Sequence, residues 1–378
     1  MAKDINRSEY TEETKLKLDI FRKCFREWYP VFLHAPNITH LFVYDMFAGS
    51  GKDAIGNYGS PIILLQEARG ERKQHCEFLV SNDRVPIVLF GFNEKIVHKA
   101  DELKNNIEAE QSECQKNCKF SYCPFINRIH IKSYDFQQLI QNENVNKILD
   151  NKSYGKFILL DQYGFKQIND DIFLKLVKSP KTDFIFFIAS SFIRRFKKLS
   201  AVTKYFQDNR ILFDESKPKE CHRAITDYFR SLIPEGKEYF LHSFTIQKGC
   251  NYYGLIFGSS HTLGMEKFLR VCWSEDGLAG ESNCNINNDF EKGTLFYNPS
   301  SSSKKEEVMK LLRDKILKGE IKSNKDGLKY TIKQGCEPKL FVDVIKGMIN
   351  KKEIEIEGKF NSAAANIHKV PEYFIMKK

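Results

Sequence analysis

A chain of 378 residues has room for two or three domains and a sizeable core. With 42% hydrophobic and 29% charged residues, and no apolar run near the ~20 residues of a membrane span, it reads as a soluble cytoplasmic protein with no membrane contact. A net charge of +10 favours anionic partners, nucleic acid above all, and the ten scattered cysteines are expected to be reduced thiols.

The charged N-terminus carries no apolar signal core. Thr11 to Tyr29 is predicted as an amphipathic helix, with Leu16, Leu18, Ile20, Phe21 and Phe25 near helical spacing and Pro30 as its stop. Leu41 to Tyr44 is a short apolar run that ends at Asp45 and turns at Ala48-Gly49-Ser50-Gly51. Ser60 is expected to cap a helix over Pro61–Arg69, whose free amides would help bind an anionic group. Strand, glycine turn, helix is the opening of a Rossmann unit, where any Cβ would keep the backbone from a ligand. Only Gly49-x-Gly51 is present, and the third glycine is missing. The alternative is an ordinary tight turn after a buried strand.

Ile87 to Phe92 is a second strand ending in Asn93-Glu94, a position where a carboxylate commonly binds ribose. A loop, 70–84, separates it from the first helix, and another helix follows over Ile96–Ala109. Cys114, Cys118 and Cys123 are spaced C-x3-C-x4-C, unlike the paired C-x2-C of zinc sites, so loop thiols are expected, with a metal as the alternative. Arg128–Ser133 is a third strand. Asp135 either sits at its ligand-binding edge, or caps a helix over Phe136–Gln141, or both. Phe157–Leu160, a fourth strand, runs into Asp161-Gln162-Tyr163-Gly164. Asp183–Ala189 is a fifth, apolar as buried parallel strands are. After it, Arg194, Arg195, Lys197 and Lys198 interleave with hydrophobes, as a phosphate-contacting stripe or as a solvated amphipathic helix.

Tyr239–Lys248 and Tyr252–Gly258 form an antiparallel hairpin, with His261 a polar strand end. Residues 276–303 have linker composition, including Pro299 and the serines that follow. Beyond lie two predicted helices, Lys304–Leu317 and Pro338–Asn350, then β-prone Glu353–Glu357 and Tyr373–Met376. The tail from Lys304 holds 18 Lys and Arg against 11 Asp and Glu, which suggests a basic winged helix-turn-helix or a helical interaction cap. The expected organisation is a Rossmann-like body over 1–275, a linker over 276–303 and a basic winged-helix-like domain over 304–378.

Asp45 followed by x-Phe-x-Gly-x-Gly looks like the first motif of class I S-adenosylmethionine (SAM) methyltransferases. Asp161-Gln162-Tyr163-Gly164 is similar to the Asp-Pro-Pro-Tyr motif of amino-methyltransferases, without its prolines. Taken with Gly59-Ser60-Pro61, Phe92-Asn93-Glu94-Lys95 and Tyr252–Phe257, these segments make the chain resemble the three-Cys-motif partner (TcmP) family over roughly Tyr10 to His261. The resemblance implies a class I methyltransferase fold, mostly parallel with a terminal antiparallel hairpin. It implies a radical-SAM-like partner protein, to which the three naming cysteines belong. Asp45, Phe47, Gly49 and Gly51 would then hold the methionine part of SAM, Glu94 the ribose and Asp135 the adenine. Asp161 and Tyr163 would face the acceptor, and no metal is required. The function implied is SAM-dependent methyl transfer to nucleic acid. The family has proline where this chain has Gln162, which keeps open a non-catalytic nucleic-acid adaptor retaining the fold. A nuclease is disfavoured, because the acidic residues lie on separate strands.

Overall fold

The computed structural model describes residues 7–120, 122–206, 211–287, 290, 293–295 and 302–377. The chain opens with helix α1 (Glu12–Leu33) and strand β1 (His40–Asp45). Helices α2 (Ser60–Arg69) and α3 (Gln74–Ser81) lead to β2 (Ile87–Asn93), α4 (Val97–Lys116) and β3 (Ile129–Lys132). Short helices α5 (Phe136–Gln141) and α6 (Glu143–Asp150) return it to β4 (Tyr154–Leu160). Then come α7 (Asp170–Lys178), β5 (Thr182–Ile188), α8 (Ser190–Arg195), α9 (Ser200–Thr203) and α10 (Cys221–Ser231). The hairpin β6 (Phe240–Lys248) and β7 (Asn251–Ser259) feeds α11 (Thr262–Glu275). The tail holds α12 (Lys304–Leu317), α13 (Asn324–Lys333), α14 (Lys339–Asn350) and the ribbon β8 (Ile354–Glu357) and β9 (Phe374–Lys377).

One seven-stranded sheet has the order β3-β2-β1-β4-β5-β7-β6. The first five strands are parallel, and β7 runs antiparallel to both β5 and β6. This is a Rossmann-like sheet. The chain works outward from β1 through β2 and β3, then returns to β4 on the other side of β1. The reversal opens a crevice between the C-terminal ends of β1 and β4, where open α/β sheets bind ligands.

Strand periodicity divides the interior between the two faces. Leu41, Val43, Phe157, Leu159, Ile185, Leu255 and Phe257 join one core, with α1, α2 and α11. Ile158, Leu160, Phe184, Phe186, Ile188 and Ile256 join the other, with α7 and α10. The tail packs on the first face: Val308, Leu312, Leu328, Phe341 and Ile345 belong to the same core as α1.

Local signals were overruled in places. Pro30 does not end α1, which continues to Leu33. Burial of Tyr29 and Leu33 beside it offsets a cost of about 3 kcal/mol for proline inside a helix. Gly59, not Ser60, is the N-cap of α2, because the Ser60 hydroxyl is drawn to Asp45. The loop expected over 70–84 contains α3, and α4 runs on to include Cys114, so that thiol is helical. Within 276–287, the Asp276 carboxylate accepts the amides of Leu278, Ala279, Glu281 and Ser282, and Ser282 bridges to Thr245 on β6. Pro299, Ser300 and Ser301 lie outside the described residues.

Candidate active site at the carboxyl edge of the sheet

β1 carries Asp45 to the crevice edge and buries it completely. Its Oδ1 accepts the Phe47 amide at 3.1 Å and its Oδ2 the Ser60 hydroxyl at 2.6 Å. One carboxylate thus ties the start of the glycine turn to the first residue of α2. Burial, and secondarily the charge of Asp161, push Asp45 up to about 7 against the pull of Ser60, the Phe47 amide and Lys17.

Gly49 and Gly51 have φ of 60° and 80°, backbone that L side chains rarely adopt. A Cβ on Gly51 would lie 2.7 Å from Leu103 Cδ1 of α4. The turn is bonded on every side. The Gly49 amide donates to Glu94 Oε2 at 3.0 Å, and Glu94 Oε1 accepts the Ile96 amide at 2.9 Å. Asn106 Nδ2 holds the Ser50 carbonyl at 2.8 Å, and the Gly59 amide holds that of Gly51 at 2.8 Å. Glu94 therefore stands beside the turn with both oxygens engaged by backbone.

Asp135 caps α5, accepting the Gln137 amide at 2.9 Å on Oδ1 and the Lys95 ammonium at 2.8 Å on Oδ2. Lys95 is the main cause holding it below the usual carboxylate range. Phe47 packs its ring 5.0 Å from Phe136, so Asp45, Phe47, Gly49, Gly51, Glu94 and Asp135 surround one edge of the sheet. A cleft of about 410 Å³ lies along the face of β1–β3 beneath α5 and α6, lined by Tyr44, Met46, Phe90, Asn93, Tyr134 and Val145 among others, while Asp45, Phe47, Gly49, Gly51, Glu94 and Asp135 do not line it. The larger cleft, about 590 Å³, is elsewhere: Trp28, Asp183, His261 and His368 line it at the opposite edge.

Across the crevice, Asp161 follows β4. Its Oδ2 accepts the Lys17 ammonium of α1 at 2.5 Å, both side chains being largely buried. Lys17 Nζ also lies 4.8 Å from the centroid of the Phe187 ring, which stacks on Tyr253 at 5.1 Å. Gln162 is buried, takes the Gln167 amide on Oε1 at 2.8 Å, and leaves Nε2 without a partner. Tyr163 is 80% exposed.

The basic stripe is not one helix, since α8 stops at Arg195. Arg194 and Lys197 both pair with Glu215, Arg195 bonds Asn251, and Lys198 is exposed. Cys114, Cys118 and Cys123 line a small cavity with Cys76, of about 20 Å³. Among the described residues, no three His, Cys, Asp or Glu side chains stand as a metal-holding group.

Sequence reasoning missed Lys17, although Lys17, Phe21, Cys24 and Trp28 share one buried stripe of α1, and a lysine in that register was its signal. It also missed Asn93, whose side-chain amide spans Met46 and Tyr134, and Asp53, which accepts the Tyr10 amide at 2.8 Å. That last bond fastens the segment leading into α1 to the glycine-turn loop.

No protein-family model matches the chain, and no curated protein matches it in sequence. Solved structures do align. Trm1 from Pyrococcus horikoshii, in complex with S-adenosyl-L-methionine, is 11% identical over 66% of this chain and 56% of its own, with a TM-score of 0.38. The chain thus spans little more than half of that Trm1. The METTL16 methyltransferase domain is 11% identical, covering 68% and 71%, at 0.33. An O-methyltransferase from Bacillus cereus in complex with SAH is 14% identical, covering 66% and 91%, at 0.33. These scores are low, and the fold assignment stands on strand order and direction.

Proposed function

We propose that the chain is a SAM-dependent methyltransferase acting on nucleic acid. The observation that carries this reading is the glycine turn at the crevice, with two left-handed glycines backed by a buried acid on β1 and flanked by Glu94. The left-handed φ of both glycines leaves the turn without side chains, as a backbone that approaches a cofactor closely requires. In this reading Asp45, Phe47, Gly49 and Gly51 shape the methionine subsite, Glu94 lies toward the ribose and Asp135 toward the adenine. The cofactor supplies an electrophilic methyl group. The protein's part is alignment of the acceptor, with Asp161 and Tyr163 on the far side of the crevice. Exposed Arg195 and Lys198, and the basic tail read as a winged helix, support a polyanionic substrate. The family resemblance adds a radical-SAM-like partner protein.

A non-catalytic adaptor is the second reading. What favours it is Asp161, whose Oδ2 is already held by Lys17, together with Gln162 in place of proline. Calorimetry with SAM tests the first reading: micromolar to millimolar binding by the wild type is expected, with loss in Gly49→Val. No binding by the wild type at millimolar cofactor would sink it. Tight binding without transfer of labelled methyl to total nucleic acid, partner included, would favour the adaptor.

A further inference from the structure

Lys17 is a cation brought by α1 into the crevice at which the sheet reverses. The Met46 amide, at the root of the glycine turn, donates to the Leu159 carbonyl at 3.0 Å, two residues before Asp161. The Lys17 ammonium therefore lies one strand over from that turn, on the acid that follows β4. It is enclosed: a carboxylate on one side, the Phe187 face on another, Tyr253 behind that ring. A carboxylate plus an aromatic face is a recognition pair for an alkylammonium. Stability alone explains the arrangement poorly, because the cost of desolvating two charges takes back most of their attraction.

We propose that Lys17 is an internal methyl acceptor, modified at Nζ by the chain's own site. This rests on the SAM-dependent reading above. In the step, the ammonium gives one proton to Asp161, and through it to water. The freed lone pair forms a bond to the methyl carbon as that carbon's bond to sulfur breaks. The sulfur keeps the electron pair and leaves as a neutral thioether, while Nζ becomes a methylated cation. Asp161 and Phe187 hold the positive nitrogen before and after. Mono- and dimethyl-lysine keep an N–H for Asp161 and trimethyl-lysine does not, so the product stops at two methyl groups.

The test uses the full chain. After incubation with SAM, mass spectrometry of the Lys17 peptide should show one or two added methyl groups. Lys17→Arg should show none there, and Asp161→Asn should slow the gain by at least about a hundredfold. A second measurement does not depend on turnover or on any variant folding. In chain carrying labelled lysine, NMR titration with S-adenosylhomocysteine should shift the Lys17 side-chain signals ahead of those of exposed lysines. Binding of S-adenosylhomocysteine by calorimetry with an unmethylated, unshifted Lys17 would overturn the proposal and leave the cofactor reading standing. Absence of calorimetric binding would overturn both.

Discussion

Asp45 is held where water would not leave it. Its pKa rises from 3.8 to about 7, chiefly through burial. A folded value above the unfolded one means that the folded state holds the proton more tightly. The stabilising contribution is complete below about pH 4 and is lost as pH rises through 7. Asp45→Asn keeps the shape without the charge. Its stability relative to wild type should therefore grow by up to a few kcal/mol between pH 4 and pH 7, then level off. Urea denaturation of both proteins across that range checks this, and a pH-independent difference would contradict it. Gly51→Ala is expected to cost about 1–3 kcal/mol from backbone strain, with more from the contact with Leu103, and thermal unfolding reads it directly. Tyr163→Ala should behave oppositely. Exposed as it is, Tyr163 adds little to stability, and its loss should leave SAM affinity intact while removing a stacking face worth about 1–3 kcal/mol per base. Equal methyl transfer by that variant would remove Tyr163 from the acceptor side.

At the scale of elements, the strands of the main sheet were legible, because apolar runs bounded by polar turns have few other readings. The glycine turn was legible too, since backbone geometry demands glycine there. Helices were read less well. Helix α13 contains Gly327, whose missing Cβ gives room to the Phe341 ring, so a residue that argues locally against helix is present for packing. Helix α11 carries apolar residues on much of its circumference because it is covered by α1 on one side and the tail on another. The partner of Asp161 was not legible, since 144 positions separate it from Lys17 and only the fold brings them together. Helix α12 illustrates the tail's attachment. Lys304, at its start, pairs with buried Glu281, which also binds Arg223 of α10. Lys304→Met should therefore lower the melting temperature by several degrees, as loss of one partner from a buried pair does. An unchanged melting temperature would mean that the pair contributes nothing.

Over the whole molecule, positive charge and apolar contact are combined in the same C-terminal segment. If the chain binds nucleic acid, affinity should fall steeply between 50 and 200 mM salt, with a slope set by the number of phosphates contacted. Replacing Arg195 and Lys198 together by Gln should reduce that slope by about 2. An unchanged slope in filter-binding titrations would take this stripe off the interface.

The packing of the tail on α11 also bears on how the chain matures during synthesis. The Glu266 carboxylate of α11 accepts the amides of Asn366 and Ile367, and the core that includes Phe21, Phe25 and Trp28 is completed by Val342, Ile345, Ile367 and Val370. Residues of α11 are thus translated before the tail residues that cover them. Until then, the side of α11 that meets the tail has no full cover, while the opposite face of the sheet, closed by α7 and α10, has all its parts by Ile256. Nascent chains halted near residue 300 should be bound by chaperones through α11, and release should follow translation of the tail helices.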